Sequence, residues 1–161
     1  LLGAKLSVEK AVEALTALFS APVEELVDVA SHAVAAAQAE RSELGRIKAQ
    51  WAALRLETLA GKSPDAILWE VEESITLKEV SHAVSEREDL LLCAAKGEGE
   101  NRFSWLIAAK GSGAERFDFS LQRTALLDGF AAKGGGRGGV YQGSATGDCS
   151  SFLARFRELV N

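Results

Sequence analysis

The sequence predicts an α+β protein, with a long helical, coiled-coil-like N-terminal segment followed by a small domain in the order β-α-β-β-α-β-α. Two observations carry that prediction. Residues 1 to 60 contain only Gly3 and Gly45, while the other thirteen of the fifteen glycines lie beyond them. The apolar period also changes, from helical spacing in the first part to short alternating runs bounded by Gly and polar residues in the second. The predicted boundaries are 1–61 for the helical segment and 62–161 for the α+β domain.

In the first segment Val8, Ala11, Val12, Leu15 and Leu18 recur at helical spacing. They predict a helix capped by Ser7 and running to about Ser20, with Pro22 stopping and restarting the chain. From Val23 to about Ala60, Val23, Val27, Ala30, Val34, Ala37, Leu44, Trp51 and Leu54 follow three- and four-residue steps or whole heptads. This predicts one long helix with an apolar seam, interrupted near Arg41 and Lys48. Its partner is expected to be the first helix, an upstream domain of a longer parent, or a second copy of the chain. Gly61 and Pro64 are expected to end it.

Beyond the boundary, 66–72 reads as a strand, and Thr76 is placed to cap a helix reaching about Arg87 with Leu77, Val80 and Val84 inward. Leu90–Ala95 and Phe103–Ala109 read as a hairpin. A further helix is expected over Asp118–Ala132, presenting Leu121, Ala125, Leu126 and Phe130. After a glycine tract, Val140–Ala145 reads as a strand. Asp148 or Ser150 is placed to cap a last helix with Phe152, Leu153, Phe156 and Leu159 inward. The expected domain has helices on a mostly antiparallel sheet.

Composition narrows the function. A 161-residue chain with 47% hydrophobic content can bury a real core. No run approaches the roughly 20 apolar residues that span a bilayer, no signal-peptide pattern is present, and a cytoplasmic location without membrane contact is expected. The absence of Met suggests a segment of a longer protein. The net charge of −5 excludes a generally basic surface, so any nucleic-acid contact must be local. From Arg123 onward the balance reverses, with Arg123, Lys133, Arg137, Arg155 and Arg157 against Asp128, Asp148 and Glu158.

No catalytic or metal constellation is legible. His32 and His82 are the only histidines, and with Cys93 and Cys149 they form no paired ligand spacing. Cys93 lies in an apolar run and is expected to be buried. Cys149, near a helix start, is the one thiol for which a lowered pKa is expected. Glu70, Glu72 and Glu73 read as a solvated strand end.

The glycine tract is the most informative stretch. Lys133, Gly134, Gly135, Gly136, Arg137, Gly138, Gly139, Val140, Tyr141, Gln142 and Gly143 combine a backbone largely free of Cβ atoms with two cations. Such a loop can take positive φ repeatedly and aim N–H groups at an anion, with Arg137 able to grip phosphate bidentately. Gly134, Gly136 and Gly139 satisfy GxGxxG, but the order is helix, glycines, strand, which excludes the dinucleotide fingerprint; no Gly-Lys-Ser/Thr completes a P-loop. The bland alternative is a connector that lets a helix turn into a strand.

Lys133-Gly134-Gly135-Gly136-Arg137, followed by Gln142-Gly143, resembles the glycine-rich signature of the DHH-associated domain. That domain closes alanyl-tRNA synthetases and the long AlaX-type alanyl-tRNA editing proteins. The resemblance extends along the order of elements from Ala66 to Val160 and to the helical segment before it. The chain departs from the family in carrying Gly138-Gly139 where Pro-Asp is usual and Tyr141 where a small residue is usual. The resemblance implies a noncatalytic module contacting tRNA, tRNA(Ala) foremost, through Lys133, Gly134, Gly135, Gly136, Arg137, Gly138, Gly139, Gln142 and Gly143. It implies no cofactor in this segment, with any zinc held upstream in the parent; a homodimer through the 23–60 helix is a further partner that the apolar seam allows. The related DHH phosphoesterases, which bind nucleotides or short oligonucleotides, are the alternative; they usually carry His where this chain has Arg137.

Overall fold

The computed structural model describes residues 2–161, with side chains from Ser7 onward. It divides into two compact units, Leu1–Arg46 and Ile47–Asn161. The first unit holds α1 (Leu2–Phe19), a 3-10 turn (Val23–Glu25) and the beginning of α2 (Leu26–Lys62). Ser7 therefore lies inside α1 instead of capping it. The break falls where expected: Ser20 takes a left-handed φ of 51° and Pro22 caps the 3-10 turn, because proline fixes its own φ and donates no N–H. At the far end α2 runs through Gly61 and stops only before Pro64, so the proline is the terminator.

The second unit begins with the last turns of α2 and continues through β1 (Ile67–Glu70), α3 (Leu77–Ser85), β2 (Leu90–Gly97), β3 (Arg102–Lys110), α4 (Ser112–Arg116), α5 (Phe119–Leu127), β4 (Lys133–Arg137), β5 (Val140–Thr146) and α6 (Cys149–Val160). The five strands form one sheet in the order β1-β2-β3-β5-β4. Only β1 and β2 are parallel, joined by the α3 crossover; the other pairings are antiparallel. The α+β class and the mostly antiparallel sheet are as the sequence predicts.

Both faces of the central strands β2 and β3 are covered. On one, Phe103, Trp105 and Ile107 of β3 pack with Cys93, Phe119 and Leu126, and with Phe152 and Phe156 of α6. On the other, Leu92, Ala94, Leu106 and Ala108 meet Val80 and Val84 of α3 and Ala52 and Leu56 of α2. Alternation along β3 sends successive side chains to opposite cores, which is why its sequence reads as a continuous apolar run.

Local chemistry fixes the helix starts. Thr76 and Glu79 form a reciprocal capping box at α3. Asp118 accepts from the amides of Ser120 and Leu121, and Asp148 from that of Ser151. Two lysines stabilise turns from across the sheet: Lys96 Nζ donates to the carbonyls of Glu72, Glu73 and Ile75, and Lys110 Nζ to those of Val84, Ser85 and Arg87.

Two further expectations need correction. Helix α5 ends at Leu127, not Ala132, because Gly129 and Ala131 take left-handed φ values of 82° and 45°. Its buried residues are Phe119 and Leu126, while Leu121 is 81% exposed. The glycine tract is also not a loop: Lys133–Arg137 is the fifth strand, zipped to β5. Gly138 and Gly139 have φ values of 63° and 77°, as the two-residue turn of a type I′ hairpin requires. The left-handed residues therefore sit mainly at the turn and do not form an anion-cradling nest.

Among the described residues no helix is long and apolar enough to cross a membrane.

Candidate nucleic-acid interface

The β4–β5 hairpin has two different faces. Register pairs Lys133 with Ser144, Gly134 with Gly143, Gly135 with Gln142, Gly136 with Tyr141 and Arg137 with Val140. Because side chains alternate, Lys133, Gly135, Arg137, Val140, Gln142 and Ser144 share one face. Gly134, Gly136, Tyr141 and Gly143 share the other.

The second face is governed by packing. A Cβ at Gly134 would stand 2.3 Å from the Gln142 carbonyl oxygen and 2.8 Å from the Trp105 indole. At Gly143 it would meet the Lys133 carbonyl oxygen at 2.0 Å and the same indole at 2.6 Å. Gly136 faces the Val140 carbonyl oxygen at 2.0 Å, and Gly139 the Ala109 carbonyl oxygen at 2.4 Å. Gly134 and Gly143 let the hairpin close over Trp105, Gly136 and Gly139 let the backbones approach, and Tyr141 stacks on Phe119 with centroids 4.2 Å apart.

The first face is open. Lys133, Gly135, Arg137, Gln142 and Ser144 are all exposed, and nothing lies within contact of a Cβ added at Gly135. Among the described residues the cations Lys133 and Arg137 take part in no ion pair, and the Gln142 carboxamide makes no hydrogen bond. Arg102 and Ser104 of β3 extend this face, since Ser104 pairs with Ser144 and Arg102 with Thr146. They carry no local motif and become part of the site only through strand pairing.

β4 is also the sheet's open edge. With Arg137 and Val140 closing a two-residue turn, alternation turns the N–H and C=O of Gly134 and Gly136 away from β5. The Arg123 guanidinium donates to the Gly134 carbonyl at 3.4 Å, which adds a third cation to this edge and agrees with that orientation. Arg155 and Arg157 lie apart on α6, where Arg155 donates to the Ala125 carbonyl. Of the basic residues from Arg123 onward, Arg123, Lys133 and Arg137 are thus gathered at the hairpin.

The arrangement offers charge and exposed backbone amides. Cys93 is buried, and burial pushes its thiol well above the ordinary value. The lowered pKa expected for Cys149 is overturned: burial, then the Glu70 and Asp148 carboxylates, raise it. The anionic cap at its own helix start opposes thiolate formation there. Glu72 is held by the Trp69 indole N–H and the Arg55 guanidinium, so it serves structure. Among the described residues no cluster of three or more His, Cys, Asp or Glu could hold a metal.

No family model matches this sequence, and no curated protein matches it. Among solved structures the chain is similar to the C-Ala domain of alanyl-tRNA synthetase from Aquifex aeolicus. The identity is 16% and the TM-score 0.45, over 60% of this chain and 92% of that one.

Proposed function

We propose that this chain is a noncatalytic RNA-binding module whose ligand is folded tRNA, tRNA(Ala) foremost, within an alanyl-tRNA editing protein or synthetase. One observation carries the reading: Lys133 and Arg137 stand unpaired on one open hairpin face, on either side of the side-chain-free Gly135 and beside Gln142. Phosphates and riboses of a folded RNA are recognised by such fixed cations and exposed backbone groups. The resemblance of the tract to the DHH-associated signature supports tRNA as the particular RNA.

The test is a titration of the chain and of a Lys133→Ala/Arg137→Ala variant against folded tRNA(Ala) and an unrelated single strand of equal length. Preference for the folded RNA is expected, with most of it lost in the variant. The slope of log affinity against log salt should fall by about 2, roughly one counterion per cation removed. Equal binding by both proteins, or none at low salt, would remove the hairpin as the contact.

A second reading, self-association through α2, is favoured by its seam. Val27, Val34, Leu44, Trp51 and Leu54 of this helix are all exposed. A second copy is the occupant whose matching heptads would cover them.

A further inference from the structure

A groove of about 440 Å³ lies on the open sheet face beside the hairpin, lined by Thr76, Leu77, Lys96, Glu98, Ser104 and Gln142. We propose that it receives one unstacked nucleobase bearing an exocyclic amino group, adenine being the best match, and that Gln142 is the residue that reads it. The inference rests on the RNA reading above and adds a base preference to it.

Size and chemistry both point to a base. The volume lies within the few hundred Å³ typical of small-molecule sites. The Gln142 carboxamide, with no partner in the described chain, presents a donor and an acceptor side by side, the pattern that pairs with adenine N7 and N6. The Glu98 carboxylate, held over the sheet by the Ser104 hydroxyl, is an acceptor only and can take the second N6 hydrogen. Ser104 and Gln142 are diagonal neighbours on β3 and β5, which stand about 7–8 Å apart and leave room for a planar ring. Leu77, half-buried, supplies an apolar wall for its face.

Charge argues against phosphate in the same groove. Its one lysine, Lys96, is turned to the carbonyls of Glu72, Glu73 and Ile75, and Glu98 repels anions. The unpaired cations Lys133 and Arg137 lie outside it on the same sheet face. An RNA strand laid on this surface would therefore put phosphates on the hairpin and drop a base into the groove. Uracil would turn a carbonyl oxygen toward Glu98 and be rejected.

The experiment uses the full chain and RNA hairpins identical except for unpaired A, C or U in the loop. Wild type should favour the A loop over the U loop roughly tenfold, the worth of one bidentate base contact. Gln142→Ala, an exposed substitution whose folding a thermal melt confirms, should lose most of the gain for the A loop and so lower the A/U ratio several-fold, with the salt slope unchanged. Glu98→Gln should recover U-loop binding. Lys133→Ala/Arg137→Ala should weaken all loops together and keep their ratio. Equal wild-type affinity for A and U loops, or an A/U ratio left unchanged by Gln142→Ala, overturns the base inference while leaving RNA binding in place. Loss of binding by no variant, or by all proteins including wild type, overturns both.

Discussion

A methyl group added at Gly136 would sit 2.0 Å from a carbonyl oxygen, while one added at Gly135 would touch nothing. Adjacent residues of one tract thus answer to different constraints. Gly136→Ala and Gly143→Ala should each destabilise the fold by about 1–3 kcal/mol, as overpacking does. Gly135→Ala should stay within about 0.5 kcal/mol, the range of an unconstrained surface change. Denaturant midpoints of the three variants distinguish them. Composition reveals that the backbone here must be bare, but the same five glycines fit a loop and a strand equally well. The Gly138-Gly139 pair, a hairpin signal in its own right, is the clue to the strand. The thiols follow the same logic of surroundings. Cys93 ionises less readily folded than unfolded, so the unfolded chain gains stability as pH rises past the ordinary thiol value of 9.0. Stability should fall as pH rises through that value, and less steeply in Cys93→Ala. Comparing the two pH slopes checks this, and an alkylating probe should label neither thiol quickly before unfolding.

The helix caps are legible because capping is a short-range pattern. Thr76, three residues before Glu79, predicts a start that the reciprocal hydrogen bonds realise. Burial pulls the Glu79 carboxyl upward, but hydrogen bonds from the Thr76 hydroxyl and amide outweigh it and hold the group below its ordinary value of 4.5. The stabilisation is present above that value and is lost as pH falls through the lowered folded one. Thr76→Ala should therefore cost about 0.5–2 kcal/mol at neutral pH. The gap from wild type should narrow in acid, as thermal melts from neutral pH down through the carboxylate range would record. Helix α5 is less legible. Its apolar residues satisfy helical spacing in more than one phase, and only the sheet decides that Phe119 and Leu126 face inward and Leu121 outward. Arg102, Ser104 and Arg123 join the site for a similar reason: strand pairing and helix placement bring together residues with no spacing in common.

For the molecule as a whole, a net charge of −5 makes the gathering of cations at one edge count. Three cations lie at one sheet edge, so RNA affinity should be weak, with a salt slope of only about 3, shallower than that of a basic protein making many phosphate contacts. The seam of α2 belongs to this scale as well. Val27, at 75% exposure, and Val34, at 57%, leave an apolar row uncovered in the single chain. Sedimentation equilibrium should show concentration-dependent dimers for wild type and monomers for a Val27→Glu/Val34→Glu variant. The melting of the α+β unit should be unchanged, because its buried α2 residues are Ala52 and Leu56. A monomeric wild type at high concentration would end that reading.

The Trp105 indole lies fully buried beneath Gly134 and Gly143, its N–H without an acceptor. That makes it a native optical gauge of the hairpin. Of the three tryptophans only Trp51 is substantially exposed, so Trp51→Phe leaves two buried emitters, and Trp69→Phe in addition isolates Trp105. Its emission should be blue-shifted and hard to quench while the glycine strand is zipped shut, and should redden when that strand lifts. The proposed RNA docking would then be followed without a dye, from beneath the hairpin.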